Sequence, residues 1–386
     1  MGFRQPTGRE EEMLSRAEKG YTMRRCRRCG FPRAISFAIR WGANGTITPV
    51  FSKDFRVAII HHGFIDSLLS SIEAKLGLSI EHIAFEAQLN ASRATFDTVG
   101  DKVPGLRLAG RLKLVRRIGG EVFHRVAVYT GMCRSWTVEY IPGERGTAVI
   151  KNPFNIGLMA ANVVGAFEAL ERIPFSQTWE EESKDSYVIR IEATGEKPEI
   201  AERMKVEFSE ALPGNIHFDR CPRCKVPWAM ANSLKWIESE GTIVDMRTGA
   251  RVIFLDAYMV TTVLREMASE LGDEIYDLVV EAQRDWTTDH VAELGLSGGN
   301  GPLSPAELEA AYRDYLEMLP LYGYGNPVSF NMSESTVQVV VENPYEPSIL
   351  AGTFQGLFEA LEKRKSSVSW EKPRRGAVSF TIAPVD

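Results

Sequence analysis

Apolar and polar positions along this chain form a pattern that is run through twice. From Ile35 to Phe51 two β-rich runs flank Ala43-Asn44-Gly45. Asn-Gly between such runs predicts a hairpin, because both residues accept positive φ. Val57 to Leu76 carries apolar residues at helical spacing and stops at Gly77, which predicts a helix with a glycine cap. Ser79 is placed to cap a second helix running to about Phe96. β-like runs follow at Val122–Tyr129, Trp136–Ile141 and Thr147–Ile150, the last ended by Asn152-Pro153. Gly157–Leu170 then predicts a helix with Ala160, Ala161 and Gly165 along one side, where small side chains permit close packing. Runs Thr178–Glu181 and Tyr187–Glu192 close the scheme.

The scheme returns at Val252–Leu271, Glu274–Val291, Thr336–Glu342, Ile349–Leu361, Val368–Glu371 and Ala377–Ile382. Pro305–Met318 adds a helix with Ser304 as its cap and Pro305 at its first position; the counterpart near 101–113 is less sharply marked. Residues 195 apart correspond: Trp41 with Trp236, Arg56 with Arg251, and Glu86-Ala87-Gln88 with Glu281-Ala282-Gln283. Near the ends the offset is 191, matching Asn152-Pro153-Phe154 to Asn343-Pro344-Tyr345 and Trp179-Glu180 to Trp370-Glu371. This is a long-period duplication. The expected fold is α+β: two tandem pseudo-symmetric copies of a domain whose antiparallel sheet packs on helices, each opened by a CxxC knuckle. The first copy spans 1–200 with an N-terminal arm over residues 1–22, and the second spans 201–386. Residues 195–215 read as the junction, and Gly295, Gly298, Gly299, Gly301 and Pro302 as a mobile loop.

Composition changes this picture in a few ways. An apolar content of 44% and a charged content of 25% are those of a globular protein. A net charge of −6 gives no general reason to expect nucleic acid or an anionic membrane, so a nucleic-acid partner is not expected. Arg24, Arg25, Arg27 and Arg28 are a local exception, read as a solvated knuckle surface. No apolar run approaches the ~18–20 residues that span a bilayer. The polar N-terminus lacks the apolar core of a signal peptide. Five cysteines, four in CxxC pairs, do not resemble a secreted disulfide framework, which points to the cytoplasm.

Those pairs are Cys26-Arg-Arg-Cys29 and Cys221-Pro-Arg-Cys224. Each is half of a tetrahedral zinc shell. Two such halves predict one structural Zn held by Cys26, Cys29, Cys221 and Cys224 between the copies. Separate or mixed-ligand metal sites, with His217 as a further ligand, and redox-active or unliganded pairs stay open as alternatives. Cys133 reads as a small buried hydrophobe. Four of the six histidines fall in the first half: His61, His62, His82 and His124. His62 and Asp66, four apart near a helix start, suit an imidazole oriented by a carboxylate. Catalytic candidates are therefore His61, His62, Asp66 and Glu86, against the plainer readings of surface histidines and of ion pairs Arg56–Glu86 and Arg251–Glu281. GxGxxG after a strand, a P-loop and HExxH are all missing.

The end of each half, a strand into Asn-Pro, a helix with small residues and a strand carrying Trp-Glu, resembles the 4-vinyl-reductase-like domain family. Asn343, Pro344, Gly352, Gly356 and Glu371 carry most of the likeness. That family shares a superfamily with haem-nitric-oxide-binding domains and TRAPP trafficking subunits. The resemblance implies a domain with a buried apolar cavity for a small hydrophobic ligand. The family's zinc-binding cysteines near the C-terminal strands are missing here. Three functions follow as expectations: a small-molecule-binding sensor, carrier or accessory subunit; an enzyme acting on an apolar molecule in a first-half pocket; or a structural subunit with a protein partner or a second copy of itself.

Overall fold

Val57–His61 and Arg251–Asp256 are short, nearly all-apolar runs, and apolar strands of this kind demand burial on both faces. They pair with each other. A computed structural model describes residues 22–102, 113–196, 200, 203–208, 210–294, 296, 301–333 and 336–385. The expected N-terminal arm, the counterpart helix near 101–113, part of the junction and most of the glycine loop lie outside the described residues.

The first half runs α1 (Arg33–Ala38), β1 (Ile39–Trp41), β2 (Ile47–Pro49), β3 (Val57–His61), α2 (Phe64–Leu76), α3 (Glu81–Lys102), α4 (Lys113–Thr130), β4 (Arg134–Ile141), β5 (Arg145–Lys151), α5 (Ile156–Glu171), β6 (Phe175–Ser183) and β7 (Ser186–Ala193). The second half runs α6 (Trp228–Ser233), β8 (Leu234–Ile237), β9 (Thr242–Asp245), β10 (Arg251–Asp256), α7 (Tyr258–Leu271) and α8 (Glu274–Asp289). After a 3₁₀ turn at Val291–Leu294 it continues with α9 (Pro305–Tyr322), β11 (Asn326–Ser333), β12 (Thr336–Glu342), α10 (Pro347–Glu362), β13 (Ser366–Arg374) and β14 (Ala377–Pro384). The order is the same in both, and the fold is α+β. Two four-stranded antiparallel sheets, β4-β5-β7-β6 and β11-β12-β14-β13, belong one to each half. The third sheet, β1-β2-β3-β10-β9-β8, takes three strands from each. Its central register is symmetric, with Ile59 opposite Phe254 and His61 opposite Val252.

Around this centre the halves exchange their contacts. Trp41 Nε1 donates to Leu321 O at 2.8 Å, and Trp236 Nε1 donates to Tyr129 O at 2.9 Å. Arg56 donates to Asn343 O at 2.6 Å and Pro344 O at 3.1 Å, while Arg251 donates to Asn152 O at 2.6 Å. The hairpin glycine of each half, Gly45 and Gly241, lies directly on the backbone of the other, at Gly325 and Cys133. Helix α2 packs on α8, and α7 on α3. The expected Arg56–Glu86 and Arg251–Glu281 ion pairs are therefore replaced: both arginines hold opposite-half carbonyls, and Glu281 meets Lys75.

Three sequence expectations are corrected. Residues Arg33–Ala38 are helical, so the hairpin begins only at Ile39. Val57–His61 and Arg251–Asp256 are strands and the helices start later, at Phe64 and Tyr258. A run of apolar β-branched residues satisfies either period, and pairing across the centre decided it. Val122–Tyr129 is helical within α4; burial of Gly120, His124, Ala127 and Val128 follows a helical repeat that its β-branched side chains disguise. Strand β11 was not foreseen. The cap of α9 matches expectation: Ser304 and Glu307 form a reciprocal capping box.

Small residues seat α5 and α10. A Cβ on Gly165 would lie 2.4 Å from Leu89 O, and one on Gly356 would lie 2.5 Å from Arg284 O. Gly165→Val should therefore lower unfolding free energy by about 3 kcal/mol, the upper end of ordinary overpacking. Gly120→Ala, where a Cβ meets nothing within 4 Å, should raise it by about 0.5–1 kcal/mol through helix propensity. Denaturant titration of both variants checks the pair; equal effects would contradict the packing described.

Candidate functional site

Each CxxC turn is closed by its own backbone. Cys26 N donates to Phe31 O at 2.8 Å and Gly30 N to Cys26 O at 2.9 Å; Cys221 N to Val226 O and Lys225 N to Cys221 O, both at 2.9 Å, repeat the pattern. Gly30 and Lys225 both have positive φ, +75° and +64°, as the tight turn requires. Arg25 and Arg220 brace the turns from outside. Arg25 reaches Glu238 at 2.7 Å, and Arg220 reaches Trp41 O at 2.7 Å, so each knuckle is pinned to the opposite hairpin. Below them Phe31 stands edge-on to Trp41 and Trp236, with ring centres 6.1 and 5.0 Å away.

The result is a cluster of four sulfurs. Cys26 Sγ lies 3.9 Å from Cys221 Sγ, and Cys29 Sγ lies 3.4 Å from Cys224 Sγ. All four sulfurs fall within 4.8 Å of one another, close enough to hold a metal ion. A tetrahedron with metal–sulfur bonds of about 2.3 Å has edges of about 3.8 Å, which these separations bracket. The members of each close pair are residues 195 apart, so the centre is shared equally between the halves. Burial acts to raise the Cys26 thiol, but amide N–H groups of Arg28 and Cys29 and the neighbouring thiols hold it down to about 7. Burial leads in pushing Cys29 and Cys224 up. His217 is not a member of the cluster. Cys133 is fully buried away from it, and burial pushes its thiol up to about 12.

The histidine candidates are dispersed by the helix starting late. His61 ends β3, and His62 sits in the turn before α2, so the expected i,i+4 relation with Asp66 does not form. Asp66 accepts from Asn155 Nδ2 at 2.6 Å, and Asn155 in turn caps α5. Glu86 is buried on α3. Only His61, of these four, borders the aromatic cavity described next. His124 is buried between Ser135 Oγ at 2.8 Å and Thr137 Oγ1 at 2.7 Å, and burial pulls it down to about 4.

That cavity has a volume of about 80 Å³ and is walled chiefly by the second half. Tyr315, Tyr322, Tyr324, Tyr345, Trp286 and His61 are among its lining residues. Trp286 stacks on His290 at 4.6 Å and meets the His61 ring edge at 5.3 Å. At one wall Arg247 holds both oxygens of Asp245, at 2.7 and 3.2 Å, and Tyr322 donates to the same carboxylate. Gln283 Oε1 and the Tyr345 hydroxyl, both buried at this cavity, have no hydrogen-bond partner among the described residues. The equivalent Gln88 of the first half donates to Asp256 Oδ2 at 3.0 Å and Asn162 Oδ1 at 2.8 Å, as Gln283 donates to Thr287 Oγ1 at 3.0 Å, and Gln88 Oε1 is likewise without a partner among the described residues. His61 and Asp256 hold equivalent strand positions, so the exchange gives one lobe an imidazole and the other a carboxylate. The histidine bordering this cavity comes from the first half, and most of the wall comes from the second. The available signal was tyrosine placement, since seven of eleven lie after residue 200.

Compared with known proteins, the chain matches no protein-family model and no curated sequence. The likeness to the 4-vinyl-reductase-like family rests on the residues named above alone.

Two outcomes follow. Cys224→Ser should release bound metal and cost more than about 3 kcal/mol of stability, because metal binding and folding are one equilibrium at such a site. Metal analysis with thermal unfolding checks this; unchanged metal content would contradict it. His124 titrates near 6.5 when unfolded and about 4 when folded. The unfolded state therefore binds more protons in between, and stability falls as pH drops from 6.5 towards 4, by up to about 3 kcal/mol. Glu346, which burial pushes up to about 7, acts in the opposite sense as pH rises, so the difference from His124→Gln isolates the histidine. Urea midpoints at pH 7 and pH 5 should diverge between the two proteins; parallel profiles would contradict the assignment.

Proposed function

We propose that this protein is a zinc-clasped binder of a small, mainly apolar molecule, acting as a sensor, carrier or accessory subunit. The observation that carries the reading is the pair of buried unpartnered groups facing an aromatic cavity. A buried donor or acceptor left unsatisfied costs about 1–3 kcal/mol, and a ligand recovers it. Gln283 Oε1 calls for a donor on the ligand, and the Tyr345 hydroxyl calls for an acceptor. The tyrosine, Trp286 and His61 rings suit an apolar or aromatic body, and the small volume suits a ligand of a few heavy atoms. The resemblance to small-molecule-binding domains points the same way.

Zinc fits the four-cysteine centre because thiolates suit it and its structural sites are tetrahedral. Four sulfurs fill its shell and leave no position for substrate water, so its role is to clasp the halves. Binding is favoured over catalysis by the dispersal of His62, Asp66 and Glu86 away from the cavity.

Native mass spectrometry of the full chain should show a co-purifying small molecule. Gln283→Leu and Tyr345→Phe should each weaken its retention by up to about tenfold, the worth of one hydrogen bond. A chain that purifies empty and takes up none of a panel of small aromatic compounds contradicts the reading.

A further inference from the structure

The basic residues beside the two knuckles are separate clusters in sequence, and the four-sulfur centre brings them to one face. Between the knuckles a cleft of about 190 Å³ is bordered by Arg33, Arg40, Arg223 and Lys225, with Phe37 at its edge and Cys26 and Cys224 on its wall. All four cations are exposed. Arg27 and Arg28 extend the same charge along the first knuckle, also exposed. Among the described residues none of these six side chains pairs with a carboxylate, and residues 22–53 contain no Asp or Glu at all. In a chain of net charge −6 this is a concentration of one sign, held in place by a rigid support. Phe37 is the second part of the pattern. It is 62% exposed, with the Arg33 guanidinium 5.4 Å from its ring centre.

We propose that this cleft binds single-stranded nucleic acid, with phosphates held by the cations and one base stacked on Phe37. The guanidinium groups of Arg33 and Arg223 match phosphate oxygens in a fork geometry, while Arg40, whose Nη1 donates to Ser36 O at 2.6 Å and Ile39 O at 2.9 Å, adds a fixed charge. Stacking on an exposed aromatic beside a cationic track is how unpaired strands are held without sequence preference. A duplex offers no free base for Phe37. A bilayer surface cannot enter a concave cleft, and an acidic peptide does not offer a flat ring beside every anionic group, as a single strand does. The net charge, which argues against nucleic acid for the chain as a whole, does not describe this face.

The test is fluorescence anisotropy of the full-length, metal-loaded protein with labelled oligothymidylate and oligouridylate of about twenty nucleotides, a length exceeding one site. Affinity should fall with salt, with a log–log slope of about −2 to −3 for three or four phosphate contacts. The double variant Arg33→Glu/Arg223→Glu should weaken binding by about tenfold or more and flatten that slope. Phe37→Ala should weaken it by about fivefold or more with the slope unchanged. Metal content serves as the folding control for these surface variants. Absence of binding at low salt, variants that bind like the parent, or equal competition by anionic vesicles, acidic peptide or free mononucleotide would each overturn the proposal.

Discussion

Strands β3 and β10 pair in a register centred on Ile59 and Phe254, and that antiparallel ladder fixes where everything else lies. Because the ladder joins equivalent strands, each half's hairpin and first long helix fall on the other half's later elements. Arg56 and Arg251 then find opposite-half carbonyls, Trp41 and Trp236 find opposite-half main chain, and the two knuckles meet at the same centre. The four sulfurs close a connection between segments 195 residues apart. Closure of so long a loop is entropically costly, though the cost grows only slowly with length. A metal at that point would add binding free energy directly to folding.

The same exchange makes the two lobes chemically different. A position that carries Asp256 in one carries His61 in the other. Asp256 accepts from Gln88, whose own oxygen, like that of Gln283, has no partner among the described residues; only Gln283 borders the aromatic cavity. Similar frames thus carry different polar side chains at the same strand position, and an aromatic cavity lies beside Gln283. The four-sulfur centre and the basic cleft next to it also depend on the exchange, since neither exists within one half.

Much of the frame was legible in the sequence, and the reasons are local. Ser304 with Glu307, the Asn44-Gly45 turn and the small residues of α5 act within a few residues of themselves, so their signals survive without tertiary knowledge. The cysteine pairs were legible because zinc chemistry demands four ligands and each half offers two. What the sequence withheld depends on partners far away. Val57–His61 has an apolar pattern that fits helix or strand, and only β10 decides it. Once it is a strand, His62 leaves the helix and the proposed pairing with Asp66 dissolves. Arg56 looked ready for Glu86 on the assumption that each half packs on itself. The aromatic cavity has no motif; its tyrosines are scattered over α9 and the loops before β11 and α10 and converge only through tertiary structure.

The central claim is that the halves share one metal through four thiolates. X-ray absorption at the zinc edge, on protein whose metal-to-chain ratio has been measured, tests it most directly. The account predicts one zinc per chain and a first shell of four sulfurs at about 2.3 Å with no nitrogen or oxygen. A first shell containing imidazole or water, two metals per chain, or a metal-free chain that is equally stable would contradict it.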